Sequence, residues 1–201
     1  MSEYAEGTRR KAAIIHVASQ LFAVNGYRDA SLASVAEGAG LTLPGLLHHF
    51  RSKQELLLAV LKEKERRDKA VVAEAIAAYP DDVAHLLEAL VAHNAAARED
   101  TWRYTVLAAE ATSPSHPAHE FFAARYARVR NALSTSIAKQ SAPAGLADDE
   151  VRALAAIAVA AMDGLQVQWL IDPGEADMVA NFRVFSKLLQ QAIGRPASGP
   201  G

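Results

Sequence analysis

The sequence predicts an all-α protein, with an N-terminal three-helix helix-turn-helix head, a C-terminal helical bundle domain and about nine helices in total. Three observations lead there. Apolar residues recur three and four positions apart through most of the chain, which is the spacing of one helix face. No stretch alternates at the two-residue period of a strand, and no internal repeat occurs. Residues 32–51 read as a helix, a glycine turn and a second helix. There Ala36 is small where two helices would cross, and Gly40 stands four residues later, where the chain must reverse and a left-handed backbone costs least. Leu32, Val35, Leu41 and Leu46 supply apolar contacts that fix the angle between the two helices. That geometry lets the second helix enter a DNA major groove, although an ordinary helical corner has the same spacing.

The elements follow in order. Thr8 is the expected N-cap of a first helix with Ile14, Ala18, Leu21 and Phe22 on one face, closed by Asn25-Gly26 with Gly26 at C′. Tyr27 follows as an aromatic plug, and Ser31 can cap the next helix. Thr42 caps the third, whose first turn is Leu43, Pro44 and Gly45; Pro44 is tolerated because its missing N–H would have no helical partner. Ser52-Lys-Gln-Glu55 is a capping box opening a fourth helix, which continues through the mixed-charge, solvated run Lys62 to Asp68. Tyr79-Pro-Asp-Asp82 breaks the chain and offers Asp82 as a cap for Val83 to Ala97. A helix over Asp100 to Ala111, the loop Thr112 to Pro117 and a long helix over His119 to Lys139 come next. After the linker Ser141 to Ala147, Asp148 caps a helix reaching Ile171. Asp172-Pro-Gly174 then turns the chain into a last helix, Glu175 to Ile193.

Composition sets bounds without pointing to DNA. Half the residues (51%) are hydrophobic, which is ample for a core, and the formal net charge is −2. Residues 1–55 hold six Lys/Arg against five acids, so a DNA binder here must place its cations well. The lack of cysteine excludes disulfides and thiolate metal sites and fits a reducing compartment. The N-terminus is polar and charged, so no secretory signal is expected. The longest apolar run, Ala153 to Met162, stops at Asp163, short of a bilayer span. A cytoplasmic protein with no membrane partner is the expectation.

The pairs Thr8-Arg9, Ile14-Ile15, Val17-Ala18, Leu21-Phe22, Gly26-Tyr27 and Val35-Ala36 stand in register with Ala39-Gly40-Leu41, His49-Phe50 and Ser52-Lys53. Together they resemble the N-terminal signature of TetR-type transcriptional regulators over residues 8–61. Further on, Met162 to Pro173 is similar to the penultimate helix of many members. The resemblance implies an all-helical homodimer, with a DNA-binding head over 8–55 and a ligand-binding and dimerisation domain over 56–193. Residues 1–7 and 194–201 are expected to be disordered.

Candidate site residues fall into three groups. In the second helix of the motif, Leu43 can pack on a thymine methyl, Thr42 and His48 can hydrogen-bond bases or phosphates, and Gly45 lets backbone approach the duplex. The resemblance adds Thr8, Arg9, Ser31, His49 and Lys53 as phosphate contacts. Two departures stand out: Leu47 replaces the tyrosine usual in the family, and Leu43-Pro44 replaces a more polar pair. The last two predicted helices carry wide apolar faces, and a two-fold copy of that hairpin would form a four-helix bundle. The expected interface is Leu154, Ala158, Ala161, Leu165 and Trp169 with Met178, Phe182, Phe185 and Leu189, and Gly164 is a candidate crossing point. The same faces would alternatively close the monomer's own core. A dimer sets two reading helices about one DNA turn apart and so implies a palindromic operator in double-stranded DNA. By resemblance again, the intervening helices surround a small-molecule effector of unknown identity. Trp102, Phe121, Met162 and Gln166 would line its pocket, and His93, Glu110 and Arg125 would orient a polar group.

Metal is not expected at His48-His49, because adjacent helical side chains diverge by about 100°, nor at His116-x-x-His119 in its proline loop. No cofactor and no catalytic residue is expected, since no nucleophile elbow, phosphate loop or zinc-protease motif occurs. The reading is a repressor released from its operator by the effector. A helical protein-interaction module, or an enzyme using the middle-domain cavity, is the alternative.

Overall fold

The computed structural model describes residues 3–194, so the tail from Arg195 and the first two residues lie outside the described residues. Among the described residues there are nine α-helices, one 3₁₀ turn and no strand. The helices are α1 (Glu3–Asp29), α2 (Leu32–Gly38), α3 (Leu43–His49), α4 (Lys53–Ala78), α5 (Val83–Ala96), α6 (Arg98–Glu110), α7 (His119–Ser141), α8 (Asp148–Ile171) and α9 (Met178–Gly194). They form two compact units. One runs to Arg67 and takes in Glu99–Phe122; the other holds Asp68–Arg98 and the described chain from Ala123. The first unit thus recruits α6 from the middle of the sequence, where the sequence suggested one contiguous cut after residue 55.

In the first unit, Ile14, Ala18 and Phe22 of α1 are fully buried along with Val35, Leu46, Leu56, Leu57, Leu61 and Leu107. Helix α1 starts at Glu3, five residues ahead of the expected cap, so Thr8 is an interior residue of the helix. An Arg10–Glu6 ion pair at 3.1 Å supports these early turns, as i,i+4 pairs do. The other end is as expected: Gly26 has φ 75°, ψ 160°, a conformation that only glycine adopts readily, and α1 kinks there before a last short turn. Gly40 has φ 67° and reverses the chain between α2 and α3. The Arg103 side chain is buried and held by Asp100 at 2.8 Å and Glu99 at 2.6 Å.

In the second unit, α9 packs on α5 and α8. Its core joins Leu87 and Val91 of α5, Ile137 of α7, Ala155, Ala158 and Met162 of α8, and Met178, Phe182 and Leu189 of α9. Asp82 caps α5, accepting the His85 N–H at 3.0 Å. The cap of α8 is Ala147 rather than Asp148. Its own N–H donates to Glu150 Oε2 at 3.0 Å, so Glu150 rather than an aspartate anchors this end. Helix α9 begins three residues later than expected, because Asp172 Oδ1 accepts the N–H groups of Gly174 and Glu175 and so extends the turn. Asp177 then starts the helix by accepting from Ala180 N–H at 2.9 Å. Asp163 does not end the apolar stretch of α8, which is long and apolar enough to cross a membrane by length and composition. One of its faces nevertheless lies in this core, and Gln166 is buried mid-helix with a polar partner, as in a helix of a water-soluble bundle. Arg98 closes the other end of α8, donating to the Leu170 carbonyl at 3.1 Å, where the helix dipole favours a cation.

Candidate DNA-binding interface

Helix α3 is short, and its ends and back are fixed by side chains that precede and follow it in sequence. Gly45 N–H donates to Thr42 Oγ1 at 3.2 Å, so Thr42 caps the helix as its position predicts. A Cβ at Gly45 would lie 3.3 Å from Thr42 Oγ1, so the capping hydroxyl would have to shift slightly to admit a side chain. Leu46 and Phe50 are buried and anchor the helix from behind. The opposite face carries Thr42, Leu43, Pro44, Leu47 and His48 at the surface. Leu43 and Leu47 are 40% and 38% exposed, which leaves them able to contact thymine methyls.

Neighbouring elements add the polar rim. Ser31 Oγ caps α2, accepting the Ser34 N–H at 3.0 Å, and remains at the surface. Lys53 Nζ donates to the Arg28 carbonyl at 2.8 Å and sits 4.6 Å above the Tyr27 ring. An ammonium has three N–H donors, so a phosphate oxygen can share it with that carbonyl. Thr8 and Arg9 are exposed on α1. The His48 and His49 rings meet edge to face at 5.6 Å, and no group of three or more metal-binding side chains occurs among the described residues. Burial, first, and then His48, Lys11 and Arg10 hold the His49 imidazole below its ordinary pKa. Lys11 and Arg10 therefore bring positive charge to α3. Sequence reading stopped at Arg9 in the run Arg9-Arg10-Lys11, because which of the three faces α3 depends on how α1 packs.

The other two groups land differently. Ala158, Met178, Phe182 and Leu189 are buried in the second unit's own core, and Leu154, Ala161, Leu165, Trp169 and Phe185 lean on that core half-buried. Four of the nine thus fill the unit's own core, and the other five cover its edge. The apolar residues left outside are Ile157, Val167 and Ile171 on α8 with Val184 and Leu188 on α9. On α8 they fall in one stripe with Ala161 and Gly164. A Cβ on Gly164 would meet nothing within 4 Å.

Of the residues expected around a ligand, His93, Arg125, Met162 and Gln166 belong to the second unit, and Trp102, Glu110 and Phe121 to the first. Gln166 Oε1 accepts from Asn94 Nδ2 at 3.1 Å, both side chains being buried, and Met162 is core. Nearby in sequence, Asp163 accepts from Tyr126 OH at 2.8 Å. Burial, ahead of the carboxylate itself, pushes the Tyr126 phenol up to about 12, and burial also raises Asp163. Asn94 was not singled out in sequence, and Asp163 was read only as the end of an apolar run, because isolated polar residues on helices are usually solvated. Trp102 is at the surface, Phe121 stands edge-on to Phe122, and Glu110 is bonded to the Tyr27 N–H at 3.1 Å.

The family model described as bacterial regulatory proteins, tetR family, matches residues 14–60, the segment that holds α2, α3 and their support. That segment carries the signature of the TetR family of bacterial regulatory proteins. Over 53 residues the chain is 42% identical to the transcriptional activator FasR of Mycolicibacterium smegmatis, covering 26% of this chain and 24% of that one. Over 69 residues it is 35% identical to the transcriptional repressor AcnR of Corynebacterium diphtheriae, covering 34% and 36%. The chain therefore spans between a quarter and about a third of the curated relatives it matches. In fold it is similar to a solved transcriptional regulator from Rhodococcus sp. Rha1, with TM-score 0.75 at 20% identity, over 90% of this chain and 96% of that one. Both curated relatives are named as transcriptional regulators.

Proposed function

We propose that the chain is a homodimeric repressor that binds a palindromic operator through α3 and is released by a small-molecule effector. What carries this reading is the outward face of α3: capped at Thr42, anchored by Leu46 and Phe50, and exposed at Leu43, Pro44, Leu47 and His48. A helix held so firmly from behind yet left uncovered in front is built to present side chains to a groove. The rim of Thr8, Arg9, Ser31, His49 and Lys53 supplies phosphate contacts, and Leu43 reads methyl groups where the family more often has polar readers. Residues 8–55 form the reading head, and 56–193 carry the dimer and ligand functions.

The dimer surface in this reading is the outer stripe of α8 and α9, Ile157, Val167, Ile171, Val184 and Leu188, with Gly164 as the point of closest helix approach. Continuous apolar residues on two neighbouring helices call for cover, and a self-complementary hairpin pair provides it. The effector site lies among the helices of 56–193, and the buried polar pair Asn94–Gln166 is the group there best placed to answer to a ligand. The ligand shifts the heads only by its difference in affinity for the two states. A bacterial operator is cytoplasmic, and so is the chain. AcnR is named a repressor and FasR an activator, so the sign of control is for the experiment to fix.

Gel shift with the duplex upstream of the chain's own gene tests the reading. Binding should weaken steeply with salt, log affinity falling with log salt at about −0.9 per phosphate neutralised. Failure to shift any duplex at low salt would remove the proposal. Repetition with candidate metabolites identifies the effector, and a promoter fusion in cells decides between repression and activation.

A further inference from the structure

The end of α1 is held by a side chain from far along the sequence. Gly26 takes its positive-φ conformation, and the next amide, Tyr27 N–H, begins a new short turn closed by Ala30 N–H on the Gly26 carbonyl at 3.3 Å. That amide is satisfied by Glu110 Oε2 at 3.1 Å, and the other oxygen, Glu110 Oε1, fills the space over Gly26, only 2.7 Å from where a Cβ would stand. The carboxylate thus caps a turn from outside, where the N-terminal amides attract negative charge. Its own position opposes that: Glu110 is the last residue of α6, an end at which a carboxylate is disfavoured.

The grip continues toward the reading helix. The Tyr27 ring lies under Lys53, and Lys53 also bonds the Arg28 carbonyl. Lys53 is the first residue of α4, three positions past Phe50, the C-cap of α3. On the far side, His116 stands edge-on to Tyr27, with ring centroids 5.2 Å apart, and its Nε2 is 3.6 Å from Glu110 Oε2. Its Nδ1 accepts the Ala118 N–H at 3.2 Å, so the neutral ring keeps its proton on Nε2, facing the carboxylate.

We propose that Glu110 is a positioning residue for DNA reading: its carboxylate, bonded to the Tyr27 N–H and packed over Gly26, sets the angle at which α2 and α3 leave α1. This rests on the DNA-binding reading above. Glu110 touches no DNA-facing residue; it acts through the Gly26–Tyr27 turn and Lys53. Placed against the loop 112–118, it also gives that loop a direct hold on the head.

The test uses the full-length chain as wild type, Glu110→Ala and Glu110→Gln. Operator affinity is read by fluorescence anisotropy, and amide exchange is read by NMR. Glu110→Ala should weaken operator binding about tenfold and speed exchange at Tyr27, while amides in α8 and α9 keep wild-type protection. Glu110→Gln retains an oxygen acceptor and should recover most of the affinity. Wild-type affinity together with wild-type Tyr27 exchange in Glu110→Ala would overturn the proposal, and so would Glu110→Gln behaving no better than Glu110→Ala. Loss of protection throughout Glu110→Ala would mark a merely structural role and overturn it too. Wild type failing to bind any duplex would instead remove the DNA reading, and with it this role, whatever the exchange at Tyr27.

Discussion

Thr42 shows how one hydroxyl serves two ends. It caps α3 through the Gly45 N–H, and it stands at the surface beside the side chains that would meet bases. Removing a threonine cap costs about 1 kcal/mol, too little to unfold a unit this size. Thr42→Ala with His48→Ala should therefore cut operator affinity at least tenfold (about 1.4 kcal/mol) while the circular dichroism melt moves by a few degrees. Unchanged affinity would withdraw both residues from the site. His116 makes a second case. Burial lowers its imidazole pKa, Glu110 opposes that, and Arg28 adds to it; Tyr27, Asp29 and Lys53 of the same unit and His119 on the loop side complete its charged and titratable surroundings. The unfolded chain then takes up the proton first as pH falls below about 6.5. Stability should decline with pH from there down to the lower folded value, and level off beyond it. Urea midpoints across pH 7.5 to 5 should show a shallower slope in His116→Gln than in wild type.

Among elements, the joint between α1 and α2 depends on backbone conformation more than on apolar contact. Gly26 has a φ that costs any other residue about 1–3 kcal/mol, and a Cβ there meets Glu110 Oε1. The carboxylate end can swing aside, but the backbone strain cannot be relieved in the same way. Gly26→Ala should lower the unfolding free energy by about 1–3 kcal/mol and weaken operator binding with it. A variant as stable as wild type by chemical denaturation would show that the kink is incidental. Helix α3 contrasts with this joint. Its placement rests on Leu46 and Phe50, and its cap and turn are local, which is why both could be read from Thr42, Pro44 and Gly40.

At the scale of the whole molecule, the proposed dimer rests on the outer stripe of α8 and α9. Ile171 is 79% exposed, Val184 60% and Leu188 59%, whereas Phe182 and Leu189 are buried. Ile157→Glu with Leu188→Glu should give a monomer by sedimentation velocity, with a wild-type circular dichroism spectrum. Its operator affinity should drop by more than tenfold, because the second half-site then costs a separate encounter. A variant that remains a dimer would place the contact elsewhere on the chain.

Most of the architecture was legible from local chemistry. Helix spacing, the caps Ser31, Thr42 and Asp82, and the positive-φ glycines 26 and 40 act over a few residues, so their effects are written where they occur. The reading helix belongs to this class. Periodicity showed that α8 and α9 are broadly apolar, but a face is defined only against what packs on it. Which apolar residues turn inward was therefore set by how α5, α8 and α9 pack together, and of the nine expected interface residues four filled the unit's own core while five stayed half-buried at its edge. Thr8 lost its capping role for a related reason, since an earlier start of α1 is stabilised by Glu6 and Arg10 rather than by any apolar period. Glu110 is the plainest case of a role that no local pattern could reveal. The sequence by itself determined the helices, the caps Ser31, Thr42 and Asp82 and the turns at Gly26 and Gly40, because those follow from neighbours along the chain. The tertiary structure alone decided that a carboxylate at the end of α6 caps a turn eighty-three residues earlier, because that bond needs two distant backbones brought together.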